Sequence, residues 1–171
     1  MLPAAPKSLG RLSDVLASCL MAASKRENPL NLQSVATSAV ILVDGLGSAN
    51  IRAAGGHAPL LNQLLKRDGS IYTHFPSTTA SCLTSLCTGV SPGEHGLVGY
   101  RIYDRDTDRS RNLLTDWSSE FRPEHYVLVE QLSVRNSHQP LIFIGPPEYQ
   151  GSGFTSVLMP NAKYEPQRSI D

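Results

Sequence analysis

Apolar and polar positions alternate along this chain in patterns that change several times, and each change marks an element. Residues 1 to about 7 read as a loose tail. Mildly apolar Val15-Leu16-Ala17 and Leu20-Met21-Ala22-Ala23 then predict an amphipathic surface helix, capped by Ser8 or Ser13, running to about Ser24 and closed by Asn28-Pro29. From Ala39 to Val43 the run is wholly apolar and rich in β-branched residues, the pattern of a strand buried on both faces. Pro59 opens a helix whose Leu60, Leu61, Leu64 and Leu65 form one apolar stripe, and Gly69 ends it.

A second strand fits Ser70 to Phe75, followed by a helix from about Thr79 to Cys87 that stops at Gly89 and Pro92. Residues 89 to 124 are rich in loop formers, with a hairpin through Arg101-Ile102-Tyr103 and Asn112-Leu113-Leu114. Pro123 primes a helix from Tyr126 to about Val134, and Pro140-Leu141-Ile142-Phe143-Ile144-Gly145 reads as a third buried strand. Strands alternating with helices predict an α/β fold, a parallel sheet with helices on both faces. The chain reaches Asp171 soon after that third strand with no closing element, so an incomplete domain is expected. Such a sheet would leave an unpaired edge and apolar surface, a route to dimerisation.

Bulk composition narrows the partners. Fifteen Lys and Arg balance fifteen Asp and Glu, so no net field favours nucleic acid or an anionic membrane. No run approaches the roughly twenty apolar residues of a membrane span. Asp14 before the apolar N-terminal stretch and Lys25-Arg26-Glu27 after it argue against a signal peptide. Cys19, Cys82 and Cys87 are odd in number and contain no C-x-x-C, which argues against a disulfide scaffold and a zinc ribbon and favours the cytoplasm.

Two stretches carry chemistry. Val40-Ile41-Leu42-Val43-Asp44-Gly45-Leu46-Gly47 is an apolar run stopping on a carboxylate, and Phe75-Pro76-Ser77-Thr78-Thr79-Ala80 is a turn of hydroxyl residues opening a helix. A strand-end acid can hold a cation, and a hydroxyl at a helix N-terminus, once activated, can attack phosphorus. Alternatively Asp44 merely caps a turn and the hydroxyls merely cap a helix. A dinucleotide fingerprint is excluded because position 50 is Asn50.

Gly89-Val90-Ser91-Pro92-Gly93 imitates a hydrolase elbow, but Pro92 lacks the amide that an oxyanion hole needs. Asp104-Arg105-Asp106-Thr107-Asp108 imitates a calcium loop, yet its sixth position is Arg109 and its twelfth Thr115. It reads as a solvated turn, with Arg105 and Arg109 offsetting the acids. His57, His74, His95, His125 and His138 form no local zinc motif, and His95 reads as a structural hydrogen-bonding residue in its turn.

In register, Asp44-Gly45-Leu46-Gly47, Phe75 to Ala80, Leu86-Cys87-Thr88-Gly89 and Pro92-Gly93-Glu94-His95-Gly96 resemble the type I phosphodiesterase/nucleotide pyrophosphatase branch of the alkaline phosphatase superfamily. Gly145-Pro146-Pro147 and Gly151-Ser152-Gly153-Phe154-Thr155 are similar to its bacterial members. The resemblance implies an N-terminal part of an alkaline phosphatase-like parallel-sheet sandwich over residues 38–171, preceded by a tail and helix in residues 1–37. It implies a hydrolase of phosphoric esters or nucleotides with two divalent metal ions, zinc by analogy. Asp44 is then a metal ligand. Counting back nine residues from Thr88 gives Thr79 as nucleophile and metal ligand, with Thr78 the second choice.

Where family members place a phosphate-binding Asn, this chain has Tyr100 followed by Arg101, the substitute donors. The family's remaining metal ligands come from beyond the matched stretch. A catalytically incompetent homologue acting as a binding module is therefore the alternative. A sulfatase is excluded because neither Cys82 nor Cys87 opens C-x-P-x-R, and Ser77 and Ser81 are out of register for a mutase serine.

Overall fold

Ten residues, Thr79–Thr88 (α4), form the helix around which the other elements are arranged. The computed structural model describes residues 10–117, 121 and 126–169. Along these run α1 (Leu12–Ala23), α2 (Ser48–Ala54), α3 (Pro59–Asp68), α4, α5 (Pro92–His95), β1 (Arg101–Asp104), β2 (Arg109–Asn112), α6 (Leu132–Arg135), β3 (Ile142–Gly145), α7 (Gly153–Leu158) and β4 (Lys163–Pro166). None of the helices is long and apolar enough to cross a membrane among the described residues.

Helix α4 joins two apolar clusters. Ala80 and Cys87 face Leu97, Leu113, Phe121, Phe154 and Leu158, while Leu86 faces Leu16, Leu20 and Leu132. Between them lies a fully buried hydroxyl row, Ser81, Thr84, Ser85 and Thr88, at helical spacing. Two of these satisfy themselves within the helix: Thr84 Oγ1 donates to the Ala80 carbonyl and Thr88 Oγ1 to that of Thr84, each at 2.7 Å. Small residues on α1 (Ser18 and Ala22, both buried) allow the two helices to approach closely. So α1 is a core helix, where a surface helix was expected. Its N-cap is Arg11, whose amide donates to Asp14 Oδ2 at 2.8 Å, and Ser13 lies inside the helix.

Local signals for helix ends hold well. Pro59 stands at the first position of α3, and Gly69 and Gly89 end α3 and α4 with positive φ of 79° and 76°. Asn62 of α3 donates to the Ile51, Gly55 and Ala58 carbonyls and so ties α3 to α2. The leucine stripe of α3 does not enter the core, and Leu60 remains exposed.

The sheet is where expectation and structure part. The fold is mixed α/β, but its sheets are two separate pairs: β1–β2 antiparallel and β3–β4 parallel. The apolar run 39–43 forms no strand, and Ile41 is 83% exposed. A strand exists only through ladder bonds to a neighbour, and among the described residues no strand pairs with this run. Residues 70–75 likewise form only one parallel bridge, Tyr72 with Arg11. The strand expected to be buried, β3, has Ile142 and Ile144 exposed.

Pro123 lies outside the described residues, and of 126–134 only 132–134 are helical, at the start of α6. The preceding β-branched Val127 and Val129 disfavour helix, and the Leu128 amide instead donates to the His95 carbonyl at 3.1 Å.

Candidate active site

The two halves of the candidate site reach each other from segments with different supports. Asp44 sits in a turn closed by the Leu46 amide on the Val43 carbonyl (3.4 Å), with Gly45 at a φ of 72°. Thr79 is the first residue of α4, entered through the cis Phe75–Pro76 peptide. Thr79 Oγ1 donates to Asp44 Oδ2 at 3.1 Å, although 35 residues separate them in the chain. Asp44 is exposed and Thr79 half-buried, so both remain open to a ligand.

The structure also separates the two threonines. Thr78 is the N-cap, and its Oγ1 accepts the Ser81 amide at 3.4 Å. That bond uses one of the first-turn amides, leaving those of Thr79 and Ala80 as the helix's unclaimed donors. The positive end of the α4 dipole therefore meets the Thr79 hydroxyl and the Asp44 carboxylate. An oxyanion placed there would find the Thr79 amide and the dipole, and a hydroxyl already held by a hydrogen-bond acceptor.

Tyr100 and Arg101 are not brought to this pair by any hydrogen bond among the described residues. The Tyr100 carbonyl accepts the Leu113 amide at 2.7 Å, and Arg101 opens β1, where its Nε donates to Ser110 Oγ at 3.4 Å. The hairpin holds both at its open end.

Deeper in, Ser85 Oγ and His95 Nε2 lie 2.9 Å apart, both fully buried. The pair resembles a nucleophile with its base, but its tautomer forbids that role. The Leu97 amide donates to His95 Nδ1 at 3.1 Å, so Nδ1 is the acceptor and Nε2 carries the hydrogen. His95 thus donates to Ser85 and cannot take its proton. Burial, reinforced by nearby His74, pushes the imidazole down to about 4, which keeps it neutral. His95 is the structural residue expected of its turn, a strut between α4 and the chain leaving α5.

The other motifs resolve equally clearly. Ser91 caps α5 and donates to Glu94 Oε2 at 2.6 Å, with Pro92 at the first helical position, so no elbow exists. The calcium-like loop is the β1–β2 turn, but Asp104 is buried where a solvated acid was expected. Its carboxylate accepts from the Thr107 hydroxyl, the Tyr126 hydroxyl at 2.9 Å and the Asp106 amide at 3.2 Å. Arg111 at 3.5 Å, and not Arg105 or Arg109, is its ion-pair partner. These bonds, Thr107's foremost, hold the carboxyl below the usual range against the opposing effect of burial. Tyr126 lies 22 residues away in sequence, so no local pattern could have announced the contact.

Asp44 and Thr79 supply two oxygen donors. No group of three or more His, Cys, Asp or Glu residues arranged for a metal occurs among the described residues. A catalytic zinc takes three protein ligands, so these residues do not by themselves fit a two-zinc centre.

A family profile described as Type I phosphodiesterase / nucleotide pyrophosphatase matches residues 38–155. Neither a curated protein nor a solved structure matches the chain.

Proposed function

The chain belongs to the type I phosphodiesterase/nucleotide pyrophosphatase family, and we propose on that footing that it acts on phosphoric esters with Thr79 as nucleophile. The observation that carries the reading is the Thr79–Asp44 hydrogen bond at the start of α4. Asp44 fixes the Thr79 hydroxyl, so that one oxygen lone pair is free toward an incoming phosphorus. The Thr79 amide with the α4 dipole then stabilises charge on the non-bridging oxygens. As Thr79 Oγ1 bonds to phosphorus its proton passes to Asp44 Oδ2; the bond from phosphorus to the leaving oxygen breaks, that oxygen takes the proton and departs as the alcohol, and water later hydrolyses the phospho-Thr79 ester and restores the Thr79 hydroxyl. The substrate class is a small phosphodiester or nucleotide.

Metal dependence belongs to this proposal as well, with Asp44 and Thr79 as this stretch's share of the ligands. The shortfall in donors favours a second reading, in which the chain binds a phosphate ester at α4 without turning it over.

Hydrolysis of bis(p-nitrophenyl) phosphate by the full chain with added Zn²⁺ tests both. The first reading expects turnover that falls at least a hundredfold in kcat in Thr79→Ala, with KM little changed. Turnover unaffected by Thr79→Ala overturns the nucleophile. No turnover, together with phosphate binding that Thr79→Ala weakens, selects the binding module.

A further inference from the structure

At the far end of α4 from Thr79, about 15 Å along the helix by its rise per residue, a polar cavity opens beside Gly89. Its volume is about 280 Å³, and it is lined by Arg11, Ser13 and Asp14 at the start of α1, Ser91 and Glu94 of the α5 cap, and His74. Three features separate it from an ordinary surface crevice. The Arg11 guanidinium makes no hydrogen bond or ion pair among the described residues, although the Arg11 backbone amide is used as a cap donor. His74 is only 9% exposed, and its Nε2 is buried without a partner among the described residues. Asp14 and Glu94 each spend one oxygen on a cap, Oδ2 on the Arg11 amide and Oε2 on Ser91, which leaves each a second carboxylate oxygen.

The charges define what fits. One cation and two carboxylates line the cavity beside a neutral imidazole; burial, then the Arg11 charge, holds His74 below its ordinary value, against the opposing pull of Asp14 and Glu94. A simple anion meets two carboxylates there, and a simple cation meets Arg11. A molecule with both charges satisfies both ends at once. We propose that this cavity binds a small zwitterion, of the amino-acid class, with its anionic group on Arg11 and its ammonium on Glu94 and Asp14, beside His74. The cavity lies at the far end of α4, so it is separate from the Thr79 site and independent of the phosphoryl-transfer reading.

The test uses glycine, β-alanine and 4-aminobutyrate as probes, which share two charged groups at increasing separation. Acetate, methylammonium and inorganic phosphate serve as half-probes. Each is titrated into the full chain by calorimetry and by NMR of the His74 ring. At least one zwitterion is expected to bind and to move the His74 signals, and acetate plus methylammonium at the same concentration is not. Arg11→Gln and Glu94→Gln keep the cap bonds, and each is expected to weaken binding at least tenfold. Failure of every zwitterion, phosphate binding as well as the zwitterions, or affinity unchanged in both variants overturns the proposal. Because both variants stand apart from Thr79, their outcome leaves the hydrolase test untouched.

Discussion

The two residues of the candidate site are held in very different ways. Thr79 begins a helix whose inner face is buried from Ala80 to Thr88 and braced by α1, α5 and α7. Asp44 follows an apolar run with no ladder, in which Ile41, Leu42 and Val43 are all exposed. One half of the site is built into the core, and the other rests on a turn and on its bond to Thr79. Thr79, the proposed nucleophile, is positioned by packing, and the Asp44 carboxylate is recruited to it. Stability and function should therefore separate along this line.

The largest contrast is in packing. Phe154→Ala removes a buried ring set 6.1 Å from Trp117 in the α4 cluster and is expected to cost about 3–5 kcal/mol in urea denaturation. Ile41→Ala is expected to stay within about 0.5 kcal/mol. A cost for Ile41→Ala similar to that of Phe154→Ala would mean that the 39–43 run is buried after all.

Next comes pH. His95 titrates at about 4 in the folded chain against an ordinary value of 6.5, so the unfolded chain binds the proton more readily. Stability is then full above about pH 6.5 and is lost as pH falls toward 4, by at most about 3 kcal/mol. His95→Gln, which keeps a donor for Ser85, should flatten that limb; a slope unchanged in the variant would remove His95 as its source. Ser85→Ala should cost about 1 kcal/mol at pH 7, because it removes the Ser85 hydroxyl from the buried His95 ring and leaves the Ser81 backbone as a remaining partner.

The smallest stability effects are the most informative about function. Thr78→Ala loses a cap worth about 1 kcal/mol. Asp44→Asn should change stability by under about 0.5 kcal/mol while reducing turnover by more than tenfold. If both properties fell together in Asp44→Asn, the distinction between packed and recruited halves would fail.

The same line separates what was legible in the sequence from what was not. Helix ends were readable because they depend on single residues with local reasons, such as Pro59, Gly69 and Gly89. The division of labour between Thr78 and Thr79 was half readable: one hydroxyl had to cap the helix, but only the Ser81 bond shows which. The hairpin was readable in its first arm, while its second arm, expected at Asn112-Leu113-Leu114, lies at Arg109–Asn112. Pairing of 39–43 and 70–75 was not, because the pattern of a strand says nothing about whether a neighbour is there to bond it. The buried Asp104, the tautomer of His95 and the orphan nitrogen of His74 depend on partners brought from other elements. Asp44 and Thr79 were singled out as candidates through the register of four motifs, and their contact across 35 residues is a product of folding.

Covalent trapping tests the central assignment most directly. Reaction of the Zn²⁺-supplemented full chain with bis(p-nitrophenyl) phosphate, acid quench and peptide mass spectrometry should reveal a p-nitrophenyl-phosphoryl group on Thr79, absent in Thr79→Ala and present in Thr78→Ala. The same group on Thr78 or Ser77, or steady turnover with no adduct at any residue, would contradict it.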